Sequence, residues 1–173
     1  GTAAIEHPDL VRRMAAEGHE IGIQTLTHAE LSEAPPWRQQ LEIRGAQKVV
    51  AGLTGQSPSL LRPPNVTDNE SVTDGQWSAM QAAGDEGYLT VLSSLDSGDE
   101  IRPGADAIAH QLTKPDAQGQ VGRMHDGGAH RSQTVEALET ALSGPAEAAQ
   151  RFTTVGDAIG VDSTTPAPFG DVL

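Results

Sequence analysis

The chain has 173 residues, with 24 acidic and 11 basic side chains, a net charge of −13 and a pI near 4.6. That balance argues against a nucleic-acid ligand, whose phosphates need a basic face, and equally against adhesion to anionic membranes. The absence of cysteine excludes disulfides, thiolate metal sites and cysteine catalysis, and no apolar run approaches the roughly 20 residues of a membrane span.

Pro8 and Asp9 open a first helix, with Leu10, Val11 and Met14 on one face and a stop at Gly18. Glu20 to Ile23 reads as a short strand. Pro36 starts a long helix whose apolar side is expected from Trp37, Leu41, Val49, Val50 and Leu53, with Gly55 as its cap. Ser57 to Leu61 is a second strand, broken by Arg62-Pro63-Pro64. Thr73-Asp74-Gly75-Gln76 has capping-box spacing and begins a helix through Trp77 and Met80. Trp37 and Trp77, both near helix starts, read as packing anchors ahead of sugar platforms, with Trp77 kept as a candidate platform. Tyr88 to Leu92 is continuously apolar, as in a strand buried on both faces.

A polar loop follows, then a helix over Ala105 to Leu112, a strand from Val121 to Met124 and a helix from Ser132. Gly144-Pro145 is expected to kink or split that helix, and Arg151 to Val155 reads as the last strand. Beyond Gly160 the chain is rich in proline and threonine and is expected to be loose. Alternating helices and strands with short connections imply an α/β fold with a parallel sheet. In such folds the loops after strands carry function, and polar clusters at 24–30, 62–70, 93–102 and 125–131 fall there.

The most informative cluster is Met124-His125-Asp126-Gly127-Gly128, followed by Arg131-Ser132-Gln133-Thr134. It places a histidine and a carboxylate at a strand end where glycines let the backbone bend. Gly18-His19-Glu20-Ile21-Gly22-Ile23-Gln24-Thr25-Leu26-Thr27-His28 repeats the design. His130 reads as a solvated turn residue. No Gly-x-Ser-x-Gly elbow, phosphate-binding Gly-Lys-Ser/Thr loop or dinucleotide fingerprint is present.

In order and spacing, these clusters resemble the polysaccharide deacetylase family, the NodB homology domain of carbohydrate esterase family four. Gly18 to His28 resembles its second motif, Arg62-Pro63-Pro64 its third, Asp96-Ser97-Gly98-Asp99 its fourth and Met124 to Gly128 its fifth. The resemblance covers residues 1–158, with 159–173 as a loose tail. It implies a distorted (β/α) barrel, apparently without its first strands, and metal-dependent hydrolysis of N-acetyl groups on aminosugar polymers such as chitin or peptidoglycan. It also implies a divalent metal, usually zinc, an aminosugar polysaccharide or oligosaccharide as partner, and an extracellular or cell-envelope setting.

Residue by residue, His28 matches the second metal-binding histidine, and Gln24 stands where the first is expected. An amide is a poor zinc ligand beside imidazole. His125 matches the catalytic acid, Asp96 the residue that orients it, and Arg62 the arginine that pairs with the base. Pro64, Asn65 and Asp126 are candidate substrate contacts. Nothing in the chain resembles the first motif, which supplies the ligand aspartate and the general base. An impaired deacetylase and a non-catalytic glycan-binding or regulatory remnant both follow from this pattern.

Overall fold

A computed structural model describes residues 1–66, 70–114, 116, 119–128, 130–143 and 152–166. They fall into two compact units, Gly1–Leu92 with Thr154–Leu173, and Ser93–Thr153. Gly144-Pro145 and Arg151 lie outside the described residues, as does the end of the tail.

The first unit opens with α1 (Thr2–Glu6) and α2 (Pro8–Ala16), the latter with proline at its first position. α3 (Pro36–Thr54) ends where Gly55 adopts φ 73° and its N–H donates to the Ala51 carbonyl, a left-handed stop that suits glycine. α4 (Asp74–Asp85) starts with the capping box expected at Thr73 and Gln76. α3 buries Ile43, Ala46 and Val50, spaced i, i+3 and i+7, against Ile23, Leu31, Leu61, Ala79, Ala83 and Tyr88.

The buried faces differ from those expected. Trp37 and Leu41 are exposed on α3, Trp77 on α4, and Leu10 and Met14 on α2, where only Val11 is buried. Each helix has a narrower buried stripe than its apolar residues imply. The tryptophans are therefore not packing anchors.

The unit's strands are short. β1 (Gln56–Pro58) pairs antiparallel with β6 (Thr164–Pro166), so three residues of the stretch expected to be loose are held as a strand. β2 (Leu60–Leu61) runs parallel to β3 (Leu89–Thr90), and Ile23 bridges Leu61 in parallel on the other side. Ile23 N–H donates to the Leu60 carbonyl at 2.9 Å and Arg62 N–H to the Ile23 carbonyl at 2.8 Å. Because the pairings are parallel, the chain leaves them on one edge, at Gln24, Arg62 and Val91. In place of the expected strand at Arg151 to Val155, α7 (Val155–Ile159) begins at its capping residue Thr154. Where the sequence suggests a strand from Glu20, only Ile23 pairs; the Glu20 carboxylate accepts the Gly156 N–H and the Ser163 hydroxyl, tying the end of the described chain to the segment before Ile23. A Cβ at Gly156 would lie 2.8 Å from the Val161 carbonyl oxygen, so glycine is required there.

The second unit holds β4 (Leu95–Asp96) parallel to β5 (Gly122–Arg123), with α5 (Ala105–Leu112) and α6 (Ser132–Ser143). Ile108, Ala109 and Ala137 form its small core, with Ala105, Leu112 and Met124 against it. β4 lies within a stretch the sequence presents as a polar loop.

One side chain of the first unit fixes the loop after Ile23. Glu42, fully buried on α3, accepts the backbone N–H groups of Leu26 and Thr27 at 3.0 and 2.7 Å and the Thr27 hydroxyl at 2.6 Å. Arg38, one turn earlier, completes the set with an ion pair at 2.6 Å. Burial acts to raise the Glu42 pKa, but the hydrogen bonds from Thr27 and Arg38 and the Arg38 charge outweigh it and hold the carboxyl below its ordinary value. A depressed carboxylate contributes stability that is present above the unfolded-state value of about 4 and lost as pH falls through the folded value. Glu42→Gln is therefore expected to cost about 3 kcal/mol at neutral pH in denaturant unfolding and to flatten the acid limb of stability. An unchanged midpoint would show that the network is not formed.

Candidate active site

In the second unit the site is built from two parallel strand ends. Asp96 ends β4, Gly98 turns the chain at φ 70°, and a 3-10 turn over Asp99–Ile101 follows. On the neighbouring strand β5 ends at Arg123, and His125 comes two residues later. The turn sends Asp99 inward, to 1% exposure.

Asp99 Oδ1 lies 2.8 Å from His125 Nδ1. Its Oδ2 accepts the His125 backbone N–H at 2.9 Å and the Thr134 hydroxyl at 3.0 Å. The Ser97 hydroxyl adds a contact to Oδ1 at 3.2 Å. Burial acts to raise the Asp99 pKa, yet the hydrogen bonds from His125 and Thr134 prevail and keep it below the ordinary value. The carboxylate is thus the acceptor, Nδ1 carries the proton, and Nε2 is left for exchange with a ligand. The ring is 31% exposed, enough to be reached.

The carboxylate that orients His125 is therefore Asp99 and not Asp96, the position that resemblance assigns. Asp96 pairs in register with Arg123 across the two strands, and their side chains form an ion pair. It also accepts the Gly98 N–H at 3.0 Å and is half exposed. The difference arises from the turn: Asp96 stays on the strand face, while the chain past Gly98 descends and carries Asp99 beneath the imidazole. Asp126 is exposed in the bend that follows His125.

The remaining expected residues belong to the first unit. Gln24 and His28 are both exposed, on the loop that Glu42 secures. Thr25 and His28 have φ values of 61° and 63°, a left-handed conformation that is uncommon outside glycine and strained for threonine. The buried Thr25 hydroxyl finds no hydrogen-bond partner among the described residues. Arg62 donates to the Val91 and Val66 carbonyls at 3.3 and 3.0 Å, joining two strand ends. Pro64 is fully buried and offers a ligand no surface. Asn65 is exposed at φ 61°, and its amide donates to Glu30 at 3.2 Å.

These residues do not fit a divalent metal. The loop offers one imidazole and one neutral amide, where a zinc site needs at least three strong donors. Among the described residues, no three His, Cys, Asp or Glu side chains converge.

Sequence reasoning missed Asp99, Thr134 and Glu42. Asp99 had a signal, since it closes the same Asp-x-x-Asp run as Asp96. Glu42 had one too, as a carboxylate beside the apolar positions 43, 46 and 50 of α3. Thr134 had none beyond its place in the motif. Asp99→Asn is expected to cost about 3 kcal/mol in denaturant unfolding at neutral pH, because it breaks a buried pair. Asp96→Asn, at a half-exposed pair, is expected to cost less than about 1 kcal/mol. Equal costs would contradict the assignment of Asp99.

Comparison with known proteins agrees with the family resemblance. A family model described as polysaccharide deacetylase matches residues 1–84. Over 153 residues the chain is 33% identical to a peptidoglycan-N-acetylglucosamine deacetylase of Bacillus cereus, covering 87% of this chain and 68% of that one. A chitooligosaccharide deacetylase of Bradyrhizobium sp. is 30% identical over 152 residues, which are 80% of this chain and 65% of the relative. The chain thus spans about two thirds of the length of these relatives. A crystal structure of a peptidoglycan N-acetylglucosamine deacetylase shares the fold, with a TM-score of 0.81 over 92% of this chain and 72% of that one at 24% identity. The identity to the first of these relatives, extending over most of both chains, shows that this chain belongs to the polysaccharide deacetylase family.

Proposed function

We propose that the chain is a polysaccharide deacetylase domain that hydrolyses N-acetyl groups on aminosugar polymers of the peptidoglycan or chitin kind. The observation that carries this reading is the 2.8 Å pair between buried Asp99 and His125. Acetamide hydrolysis needs a proton delivered to the departing nitrogen, because an amide anion is a poor leaving group. A histidine whose Nδ1–H is held by an ionised carboxylate keeps Nε2 for that transfer, and the carboxylate stabilises the imidazolium that precedes it. After transfer the ring is neutral, with Nδ1–H still bound to Asp99. The substrate class is supported by likeness to relatives named as deacetylases of peptidoglycan N-acetylglucosamine and of chitooligosaccharides.

Deacetylases of this family are generally metal-dependent. A divalent metal would supply Lewis-acid chemistry to the acetamide carbonyl, and His28 with Gln24 are the side chains the motif match places toward it. The described residues bring an acid with its orienting carboxylate, but among them the motif match offers only His28 and Gln24 toward such an ion. We therefore propose that this chain alone binds zinc weakly and turns over slowly.

In a calorimetric titration, Gln24→His is expected to bind zinc on the order of tenfold more tightly than the unaltered chain. Adding His28→Ala should remove that gain. No change with Gln24→His would count against the loop as a metal loop. Acetate release from chitooligosaccharides should be lost in His125→Ala at unchanged fold; release that persists would overturn the role of His125.

A further inference from the structure

We propose that Thr134 is a positioning residue, which fixes the proton on His125 Nδ1 by pinning the far oxygen of Asp99. The inference rests on the reading of His125 as the proton donor, and its test does not depend on turnover.

A carboxylate has two oxygens and about four lone-pair sites, and it rotates about its own axis unless each oxygen is held. Asp99 cannot reach water, so its orientation is set by the four contacts it makes within its unit. Ser97 Oγ and the His125 ring address Oδ1. The His125 backbone N–H and the Thr134 hydroxyl address Oδ2. Of these, only Thr134 comes from α6. Without it, Oδ2 keeps one backbone N–H alone, and the Ser97 contact at 3.2 Å is the one other hold on the carboxylate besides the ring.

The use of the hydroxyl is itself informative. Thr113, which caps the C-terminus of α5, and Thr140, within α6, turn their hydroxyls back to the carbonyl four residues earlier, at 2.9 Å in each case. Thr134, in the first turn of α6 and 7% exposed, reaches out of its helix instead. Its neighbours dock the same helix start: Gln133 accepts the Gly104 N–H at 3.0 Å, and Arg131 donates to the Asp99 carbonyl at 3.3 Å and the Gly127 carbonyl at 2.8 Å. The helix start is thus held by other contacts, and the Thr134 hydroxyl is available for orientation.

The test is the tautomer of neutral His125, read from ring nitrogen shifts in long-range proton–nitrogen spectra of the full chain above the imidazole titration. The unaltered chain and Thr134→Ser should both show the Nδ1–H form. Thr134→Val, which keeps the shape and removes the hydroxyl, should lower the ratio of Nδ1–H to Nε2–H about tenfold, the scale of one hydrogen bond to a charged group. A folded Thr134→Val with the unaltered ratio would overturn the proposal, as would a Thr134→Ser that loses it. If Thr134→Val does not fold, the unaltered chain decides: a Thr134 hydroxyl proton protected from exchange and in contact with Asp99 supports the proposal, and a freely exchanging one overturns it. A chain that releases no acetate would undo the proposed activity and leave the tautomer result standing.

Discussion

A carboxylate that cannot reach water must collect its donors from the chain, and each unit of this protein contains one that does so. In the first unit Glu42 gathers two backbone N–H groups, a hydroxyl and a guanidinium. In the second Asp99 gathers a backbone N–H, two hydroxyls and an imidazole. An unpaired charge at such depth would cost several kcal/mol, so the donors are not free to leave. The loops that carry them inherit that restriction. The loop bearing Gln24 and His28 is held by Glu42, and the bend bearing His125 by Asp99.

The two anchored loops are unequal in their chemistry. His125 has a carboxylate on Nδ1, a reachable ring and a second nitrogen free to exchange a proton. The loop at 24–28 keeps a strained backbone, with left-handed Thr25 and His28, but presents a neutral amide where a second imidazole would serve a metal. Strain is kept when surrounding contacts over-determine it, and the Glu42 network does so here whether or not the loop binds an ion. The geometry of this loop thus rests on a helix carboxylate, through the backbone N–H groups of Leu26 and Thr27.

Several features were legible in the sequence because they depend on near neighbours. The capping box at Thr73, the left-handed stop at Gly55 and the span of α5 follow from local backbone chemistry. The motifs identified the family for a similar reason: their residues are close in sequence. The strands were harder, since two- or three-residue pairings are set by partners far along the chain. The pairing of Gln56–Pro58 with Thr164–Pro166 is one such case.

The sequence by itself thus determined the family, helices such as α4 and α5, and the place of His125 just past a strand end, because local hydrogen bonding and short motifs encode them. Only the tertiary structure decided which aspartate meets His125. Asp96 and Asp99 lie three residues apart and have the same chemistry; they are separated by a turn at Gly98 that leaves one on the strand face with Arg123 and buries the other. The tertiary structure alone also decided that Trp37 and Trp77 face solvent, because burial depends on what packs against a helix and not on the helix's own composition.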